Sequence, residues 1–180
     1  MNRITHNWAK HVAFGAASMH FPRTVADVQE IVRSSAKVRA VGARHSFNAI
    51  ADTTGALISL RALERRIDID AQARTVTVDG GITYAELCPV LDAAGWALFN
   101  IASCPDFTVV GAVSTAIHGS GNANRNLAAS VRALAIVTAS GELRRFSRGD
   151  TDFAGAVVAL GALGEGRRDP RRDRPEPLDR

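Results

Sequence analysis

Residues 65–81 read RRIDIDAQARTVTVDGG, and this stretch decides the fold class. Ile67 and Ile69 alternate with aspartates, and Val76 and Val78 alternate with polar residues after the turn AQAR. A strict two-residue alternation puts the apolar side chains on one face of a strand. The stretch therefore predicts an antiparallel hairpin with one buried face.

The chain before this hairpin predicts a small α/β unit. Thr24 and Asp27 form a start that resembles a capping box, and apolar residues then recur at helical spacing. The short apolar runs at residues 37–41 and 56–60 predict two strands. A helix between strands within so few residues is typical of an α/β lobe.

The chain after the hairpin predicts a second helix and a second hairpin. Thr83 and Glu86 form a capping box that opens a helix, and Gly95 ends it. Residues 99–111 are then expected to form a long loop. Alternating residues resume around a turn at residues 140–141, which predicts another antiparallel pair.

Together these elements predict a two-lobed α+β domain. The small α/β lobe covers residues 7–63, and a larger lobe with an antiparallel sheet covers residues 64–164. Residues 165–180 contain six Arg, five acidic residues, three Pro and one large apolar residue. Such a segment buries too little apolar surface to offset the entropy of ordering, so we expect a disordered tail.

Composition narrows the class of protein. The chain has 180 residues, of which 46% are hydrophobic, so it is long enough to bury a core. Its net charge of +4 rests on 20 scattered Arg and only 2 Lys, which disfavours nucleic acid as a partner. Cys88 and Cys104 lack metal-ligand spacing, so we expect no metal site and a reduced compartment. With no signal peptide pattern or long apolar window, we expect a cytoplasmic protein that does not contact a membrane.

Two loops each combine a histidine with small residues: VGARHSFN at residues 41–48 and STAIHGSG at residues 114–121. Gly42, Gly119 and Gly121 allow close approach of a ligand to the main chain. Successive backbone N–H groups in such turns can bind an anion such as a pyrophosphate. Neither loop has a P-loop or G-x-G-x-x-G pattern, so neither indicates ATP or a Rossmann nicotinamide site. Taken alone, each loop is more often a plain turn with an exposed histidine.

Several motifs in a fixed order are more specific than either loop. They are RAVGARHSFN, ALISL, IDIDAQARTVTVDGGITYAEL, NIASCPDFTVVGAVSTAIHGSG, VTASGE and GALG. In this order they resemble the FAD-binding (PCMH-type) half of the vanillyl-alcohol oxidase and p-cresol methylhydroxylase flavoprotein family. Within that family the likeness is to sugar-alcohol oxidases of the alditol and xylitol oxidase type, with sugar-lactone oxidases next. The resemblance implies that FAD is the cofactor.

The resemblance implies that the first loop attaches the flavin. His45 stands where the family joins a histidine ring nitrogen covalently to the methyl group on the flavin's benzenoid ring, and a neutral imidazole is a competent nucleophile. The neighbouring positions implied to contact the cofactor are Val41, Gly42, Ala43, Arg44, Ser46 and Phe47. Many relatives carry a second glycine or a serine where this chain has Ala43, and another glycine where it has Arg44. Two interpretations of Arg44 stay open: it neutralises the pyrophosphate, or it points into solvent.

The second stretch implies further cofactor contacts by position. They are Ser103, Thr108, Gly111, Thr115, His118, Gly119 and Ser120. Ser103 is also expected to face the substrate side of the flavin ring, which makes it the catalytic candidate. For His118, a packed or exposed histidine is an equal alternative. Cys104 precedes Pro105, like a second flavin-linked cysteine in some relatives, but its spacing to the following glycines differs and a small buried hydrophobe is favoured.

The implied activity is oxidation of a polyol CH–OH group, with dioxygen as acceptor and hydrogen peroxide as product. In full-length relatives a C-terminal substrate domain follows the GALG segment, whereas Glu165 begins the Arg-rich tail here. We therefore expect a truncated or frameshifted product. A catalytically silent FAD-binding module, or one half of a split enzyme with a complementing C-terminal half, is the alternative. A sugar-1,4-lactone oxidase is a further alternative.

Overall fold

The computed structural model describes residues 4–162, in which short strands alternate with short helices. The strands are β1 Ser18–His20, β2 Val38–Ala40, β3 Ala56–Ile58, β4 Ile67–Asp70, β5 Thr75–Val78, β6 Ala133–Val137 and β7 Leu143–Ser147. The helices are α1 Val25–Ser34, α2 Tyr84–Ala93, α3 Val109–Ser114 and α4 Phe153–Val157, with 3₁₀ turns at Ala49–Ala51, Leu60–Ala62 and Leu127–Ser130. The predicted tail lies outside the described residues. The mixture of helices with parallel and antiparallel strands confirms the predicted α+β class.

A three-stranded parallel sheet with the order β1-β3-β2 forms the first part of the fold. His20 and Ala40 both pair with Ile58, so the carboxyl ends of the three strands lie at one edge. This edge is where open α/β sheets bind ligands. The strands predicted at residues 37–41 and 56–60 are confirmed with shorter bounds. Strand β1 was not predicted, because its sequence SMH has one apolar residue between two polar ones and so forms no apolar run.

Helix α1 covers this sheet and begins at the predicted cap. The hydroxyl of Thr24 accepts a hydrogen bond from the Asp27 N–H at 3.1 Å, and the Asp27 carboxylate accepts one from the Thr24 N–H at 3.0 Å. Val32 is buried on the helix face that meets the sheet. Val137 of β6 packs against the same apolar cluster, so α1 contacts both the parallel sheet and the second hairpin.

Both predicted hairpins are confirmed. Strands β4 and β5 pair Ile67 with Val78 and Ile69 with Val76, and this apolar face packs on α2. Strands β6 and β7 pair in the same antiparallel sense, and their buried face packs on α4. The two hairpins are separate two-stranded ladders. The antiparallel part of the second lobe is therefore two small units, each covered by its own helix.

Helix α2 also begins at its predicted capping box. The Glu86 carboxylate accepts hydrogen bonds from the Thr83 N–H at 2.9 Å and from the Thr83 hydroxyl at 2.7 Å. Arg65 pairs with the same carboxylate and donates to the Gly81 carbonyl at 3.0 Å. Gly95 ends the helix region with a φ of +75°. The cap and the ion pair join the first hairpin to α2.

The long loop expected at residues 99–111 is wrong at its end, because α3 begins at Val109. The Thr108 hydroxyl accepts a hydrogen bond from the Gly111 N–H at 3.2 Å and so caps this helix. Helix α4 was missed as well. Both helices are only five or six residues long and each contains a glycine, so neither gives a clear helical periodicity.

The turn of the second hairpin is fixed by side chains of α1. The Gln29 side-chain amide donates to the Gly141 carbonyl at 2.7 Å, and the Arg33 guanidinium donates to the same oxygen at 3.2 Å. Gly141 has a φ of +80°, and a Cβ there would lie 2.5 Å from Cγ of Arg33. A glycine is required for the backbone conformation and for the close approach of α1.

We expect Gly141→Ala to lower the free energy of unfolding more than Gly95→Ala does. Both glycines have a similar positive φ, +80° and +75°, but a Cβ at Gly95 would meet nothing within 4 Å. The backbone strain is then about 1 kcal/mol in each variant, and the clash with Arg33 adds about 1–2 kcal/mol in Gly141→Ala only. Urea unfolding followed by circular dichroism measures both. Equal losses would contradict the proposed role of the α1–hairpin contact.

Candidate functional site

Three loops contact one another in series, and the first of them leaves the carboxyl edge of the parallel sheet. We name residues 41–48 the first histidine loop, residues 99–108 the connecting loop, and residues 114–121 the second histidine loop. The ring of His45 lies 4.6 Å from the ring of Phe107, centroid to centroid, so the first histidine loop contacts the connecting loop.

Two glycines set how closely the loops approach. A Cβ on Gly42 would lie 2.6 Å from the hydroxyl oxygen of Thr108, which caps α3. A Cβ on Gly119 would lie 2.5 Å from the carbonyl oxygen of Ile101 and would also strike the side chain of Asn100. Any larger residue at either glycine forces the loops apart. The connecting loop therefore brings the two histidine loops together.

The first histidine loop continues directly from β2. Val41 is buried in an apolar cluster with Ile4 and Leu57, and its N–H donates to the Ile58 carbonyl at 2.8 Å. From Gly42 onward, the backbone N–H groups of residues 42–47 have no hydrogen-bond acceptor within the described part of the chain. The start of the loop is thus rigid, while its N–H groups are free to bind an anion.

A loop near the N-terminus occupies the other side of these peptide groups. We name residues 5–14 the N-terminal loop. It donates hydrogen bonds to the carbonyl oxygens of Arg44 and Ser46, at 2.8 Å from the Trp8 N–H and 3.0 Å from the Asn7 side chain. These two carbonyls of the first histidine loop therefore have protein donors, while the N–H groups of the same loop have no protein acceptor.

His45 lies among aromatic rings. Its ring stacks on Trp8 with centroids 5.0 Å apart and an interplanar angle of 23°. Its Nδ1 is buried and has no hydrogen-bond partner among residues 4–162. Burial lowers the pKa of His45, and the Arg44 charge lowers it too, while the Ala43 backbone and Asp106 act in the opposite direction. At neutral pH the imidazole is therefore uncharged and keeps a lone pair for bonding.

The second histidine loop is held by its own side chains. The His118 ring lies within hydrogen-bond distance of two carbonyl oxygens, with Nδ1 2.8 Å from that of Gly119 and Nε2 2.7 Å from that of Asn124. The Asn124 side-chain amide donates to the Ser120 carbonyl at 2.7 Å. Within the described chain, the N–H groups of residues 118–121 donate to no protein acceptor. His118 thus braces the loop, and the N–H groups form a second candidate anion site.

The remaining candidate residues differ in exposure. Val41 is buried; Ala43, Arg44, Ser46, Thr108, Gly111 and Gly119 are half-buried; Gly42, Phe47, Ser103, Thr115, His118 and Ser120 are exposed. Thr108 caps the start of α3, and the Thr115 hydroxyl donates to the Gly111 carbonyl at 3.0 Å near its end. These three residues shape the helix that joins the connecting loop to the second histidine loop. Cys104 is a half-buried free thiol.

The Arg44 side chain contacts the N-terminal loop, and its two predicted roles stay predictions. Its guanidinium donates to the His6 carbonyl at 3.4 Å, which ties the first histidine loop to the N-terminal loop. Its backbone has a φ of +68°, in the left-handed region that favours glycine. Glycine would adopt this conformation without strain.

Four residues at the site were missed by sequence reasoning: Asn7, Trp8, Asn100 and Phe107. The Asn7 side chain is only 2% exposed and forms hydrogen bonds. The Asn100 side-chain nitrogen is buried with no partner in the described chain. A lone aromatic or amide residue in a loop gives no periodic signal, so only a contact map could have identified them.

These features fit a dinucleotide cofactor. Two runs of N–H groups without protein acceptors suit the oxygens of a pyrophosphate, and two glycines let the loops that carry them pack closely on the connecting loop. The unpartnered nitrogens of His45 and Asn100 are buried polar atoms that a bound ligand would satisfy. In residues 4–162 no group of three or more His, Cys, Asp or Glu could hold a metal ion. No helix of that range is long and apolar enough to cross a membrane.

Fold and site together define an FAD-binding domain of a flavoprotein. Residues 16–147 match a family model described as an FAD binding domain, and the chain belongs to this family. This confirms the family resemblance of its motifs.

Curated relatives are oxidases and dehydrogenases. Alditol oxidase from Streptomyces sp. (strain IKD472 / FERM P-14339) is 46% identical over 167 residues, covering 91% of this chain and 40% of the relative. L-gulono-1,4-lactone dehydrogenase from Mycobacterium tuberculosis (strain ATCC 25618 / H37Rv) is 37% identical over 168 residues, covering 91% of this chain and 39% of the relative. L-gulonolactone oxidase from Mus musculus is 34% identical over 165 residues, covering 88% and 37%. The chain thus spans well under half the length of these relatives.

We expect Arg44→Gly to be more stable than Arg44→Ala. Both variants lose the contact between the guanidinium and the His6 carbonyl, but only glycine relieves the φ of +68°. The difference in free energy of unfolding should be about 1 kcal/mol in favour of glycine. Urea denaturation of the two variants measures it. Equal stability would mean that the backbone at residue 44 is not strained.

Stability near pH 6 should depend on His45. Because folding lowers its pKa from the ordinary 6.5, the unfolded chain binds the proton more readily. The stability that neutral His45 contributes is present above pH 6.5 and is lost as the pH falls towards the folded pKa. We expect His45→Gln to flatten the slope of unfolding free energy against pH between about pH 5.5 and 6.5, a window above the titration of most carboxylates. If the slope is the same in His45→Gln, the conclusion that burial lowers the pKa of His45 is wrong.

Proposed function

We propose that this chain holds FAD between its two histidine loops and forms the flavin-binding part of an oxidoreductase. The proposed reaction oxidises the CH–OH group of a polyol, with dioxygen as acceptor and hydrogen peroxide as product. One observation carries the cofactor site: the free N–H groups of residues 42–47 lie in the same loop as the unpartnered Nδ1 of His45. Similarity to alditol oxidase supports the polyol as substrate class.

The protein's contribution is to bind and orient. The N–H groups of residues 42–47 and 118–121 are proposed to bind the pyrophosphate oxygens. His45, uncharged at neutral pH, is proposed to attach FAD covalently through a ring nitrogen, in exchange for its own N–H hydrogen and one methyl hydrogen. When bound, FAD would supply two-electron chemistry, and dioxygen is the proposed final acceptor of the electrons from that coupling and from the substrate.

Ser103 and Asn100 are proposed to bind different ligands, Ser103 the substrate and Asn100 the cofactor. The exposed Ser103 hydroxyl is available to donate a hydrogen bond to a substrate oxygen, and the Asn100 amide to donate to the cofactor. The relatives are more than twice as long as the matched region, so we propose that groups binding the polyol belong to a second, substrate-binding half.

A sugar lactone is the second candidate substrate. The similarity to L-gulono-1,4-lactone dehydrogenase and L-gulonolactone oxidase supports it. A third candidate is a flavin-binding module without turnover of its own, since the family model over residues 16–147 describes FAD binding alone. All three proposals share the cofactor site. They differ in whether a substrate is oxidised there and in which class of substrate it is.

Acid precipitation of the chain expressed with FAD tests the cofactor proposal. We expect a yellow pellet and a protein mass increased by one FAD less two hydrogens. His45→Ala should lose the mass increase, because no other residue is proposed to form the bond. His118→Ala is the matched control: it should keep the mass increase and weaken only reversible binding, since His118 braces its loop through two carbonyls.

Each other result excludes part of the proposal. A colourless pellet from protein that shows flavin absorbance in solution excludes the covalent bond and keeps the binding site. A folded chain that binds no FAD overturns the cofactor proposal. Peroxide release measured with xylitol, sorbitol and L-gulono-1,4-lactone then separates the candidates. Turnover of either class identifies the substrate, and a flavin-loaded chain without turnover supports the silent module.

A further inference from the structure

The N-terminal loop is a small, closed structure of its own. The Asn7 N–H donates to the Val12 carbonyl at 2.9 Å, and the Phe14 N–H donates to the Thr5 carbonyl at 2.9 Å. It lies before the FAD-binding family match, which begins at residue 16. The function proposed above gives this loop no role.

This loop contacts the first histidine loop at successive residues. In chain order along the histidine loop, the contacts are Trp8 N–H to the Arg44 carbonyl at 2.8 Å, Trp8 stacked on His45, Asn7 Nδ2 to the Ser46 carbonyl at 3.0 Å, and His11 Nε2 beside the Phe47 carbonyl at 3.2 Å. Because these carbonyls face the N-terminal loop, the loop sets the orientation of the peptide groups around His45.

Asn7 makes the N-terminal loop stiff. Its side chain is almost fully buried, and its Oδ1 accepts hydrogen bonds from the His11 and Val12 N–H groups, both at 3.1 Å. Its Nδ2 is the group that reaches Ser46. One buried amide thus holds both the shape of the loop and its attachment to the histidine loop, and Trp8 follows it directly in the chain.

Trp8 is an unusual neighbour for His45. The indole is 58% exposed, so apolar burial alone does not explain its position. Two contacts hold Trp8: its backbone N–H donates to the Arg44 carbonyl, and its indole stacks nearly parallel to the His45 imidazole. An imidazole in an open loop rotates about its side-chain torsions, and a flat ring stacked on it removes that freedom.

We propose that Trp8 is a positioning residue that holds the imidazole of His45 in a fixed plane at the cofactor site. The proposal rests on the proposed function only in naming the cofactor that His45 faces. Phe107 is the second ring beside His45, at a tilt of 58°, and it belongs to the connecting loop. Trp8 therefore orients the His45 ring from outside the FAD-binding family match, which begins at residue 16.

Proton NMR of the cofactor-free chain tests the placement directly. The chain has five histidines, and His45→Ala assigns the His45 ring proton by its disappearance. In the unsubstituted chain we expect an upfield ring-current shift of this proton and a titration below the ordinary histidine pKa. Trp8→Leu keeps apolar bulk without a ring, so it should lose the shift and titrate closer to the ordinary value. Trp8→Phe should retain most of both.

Several controls make the test specific. The chain has two tryptophans, and Trp96→Phe removes the one that packs with the first hairpin and α2. It should leave the His45 signal unchanged. Arg44 and Asp106, the charged groups that act on His45, stay in place in every variant, so a changed titration reports on the ring. Circular dichroism confirms that each variant is folded before comparison.

A second experiment measures FAD binding by the same variants. Retention of FAD after rapid gel filtration should fall on the order of tenfold in Trp8→Leu and little in Trp8→Phe, because misplacing a reacting or binding group is costly. An unchanged His45 signal in Trp8→Leu overturns the proposal, as does a Trp8→Phe chain that behaves like Trp8→Leu. If the unsubstituted chain binds no FAD, the proposed function fails, while the NMR result still decides the role of Trp8.

Discussion

The orientation of the peptide groups in the first histidine loop is the constraint on which the site depends. Val41 is buried and hydrogen-bonded to β3, so the loop leaves the sheet in a fixed direction. The carbonyls of Arg44 and Ser46 then bond to the N-terminal loop. A peptide group that turns its carbonyl one way turns its N–H the other way. The same bonds that hold the loop therefore leave its N–H groups free for an anion.

Left-handed backbone conformations and close contacts also occur in this region. Arg44 has a left-handed backbone, and so does Ala116 after α3, with φ values of +68° and +52°. Gly42 and Gly119 sit where a Cβ would strike a neighbouring loop. Such conformations persist only where the surroundings over-determine them, and they are common at ligand sites. Here the surroundings are the N-terminal loop, the cap of α3 and the His118 brace.

Desolvation gives His45 its chemical character. Its ring contacts two aromatic side chains, and its Nδ1 has no protein partner in the described chain. An imidazole in water spends part of its time protonated near neutral pH, whereas burial favours the uncharged ring. Membership of the FAD-binding family and the free N–H groups point to the same ligand by independent arguments. The first histidine loop thus combines N–H groups suited to an anion with an uncharged imidazole.

The sequence by itself determined the elements whose signals are local. The hairpin at residues 65–81 and the caps at Thr24 and Thr83 were predicted, because alternation and capping are written within a few residues. Several motifs in a fixed order, the one around His45 among them, indicated the family. Only the tertiary structure decided what surrounds that histidine. Asn7 reaches Ser46 across 39 residues of chain, and no local pattern encodes a contact over such a separation. The N-terminal loop packs on the edge of the parallel sheet, and this packing brings Asn7 and Ser46 together.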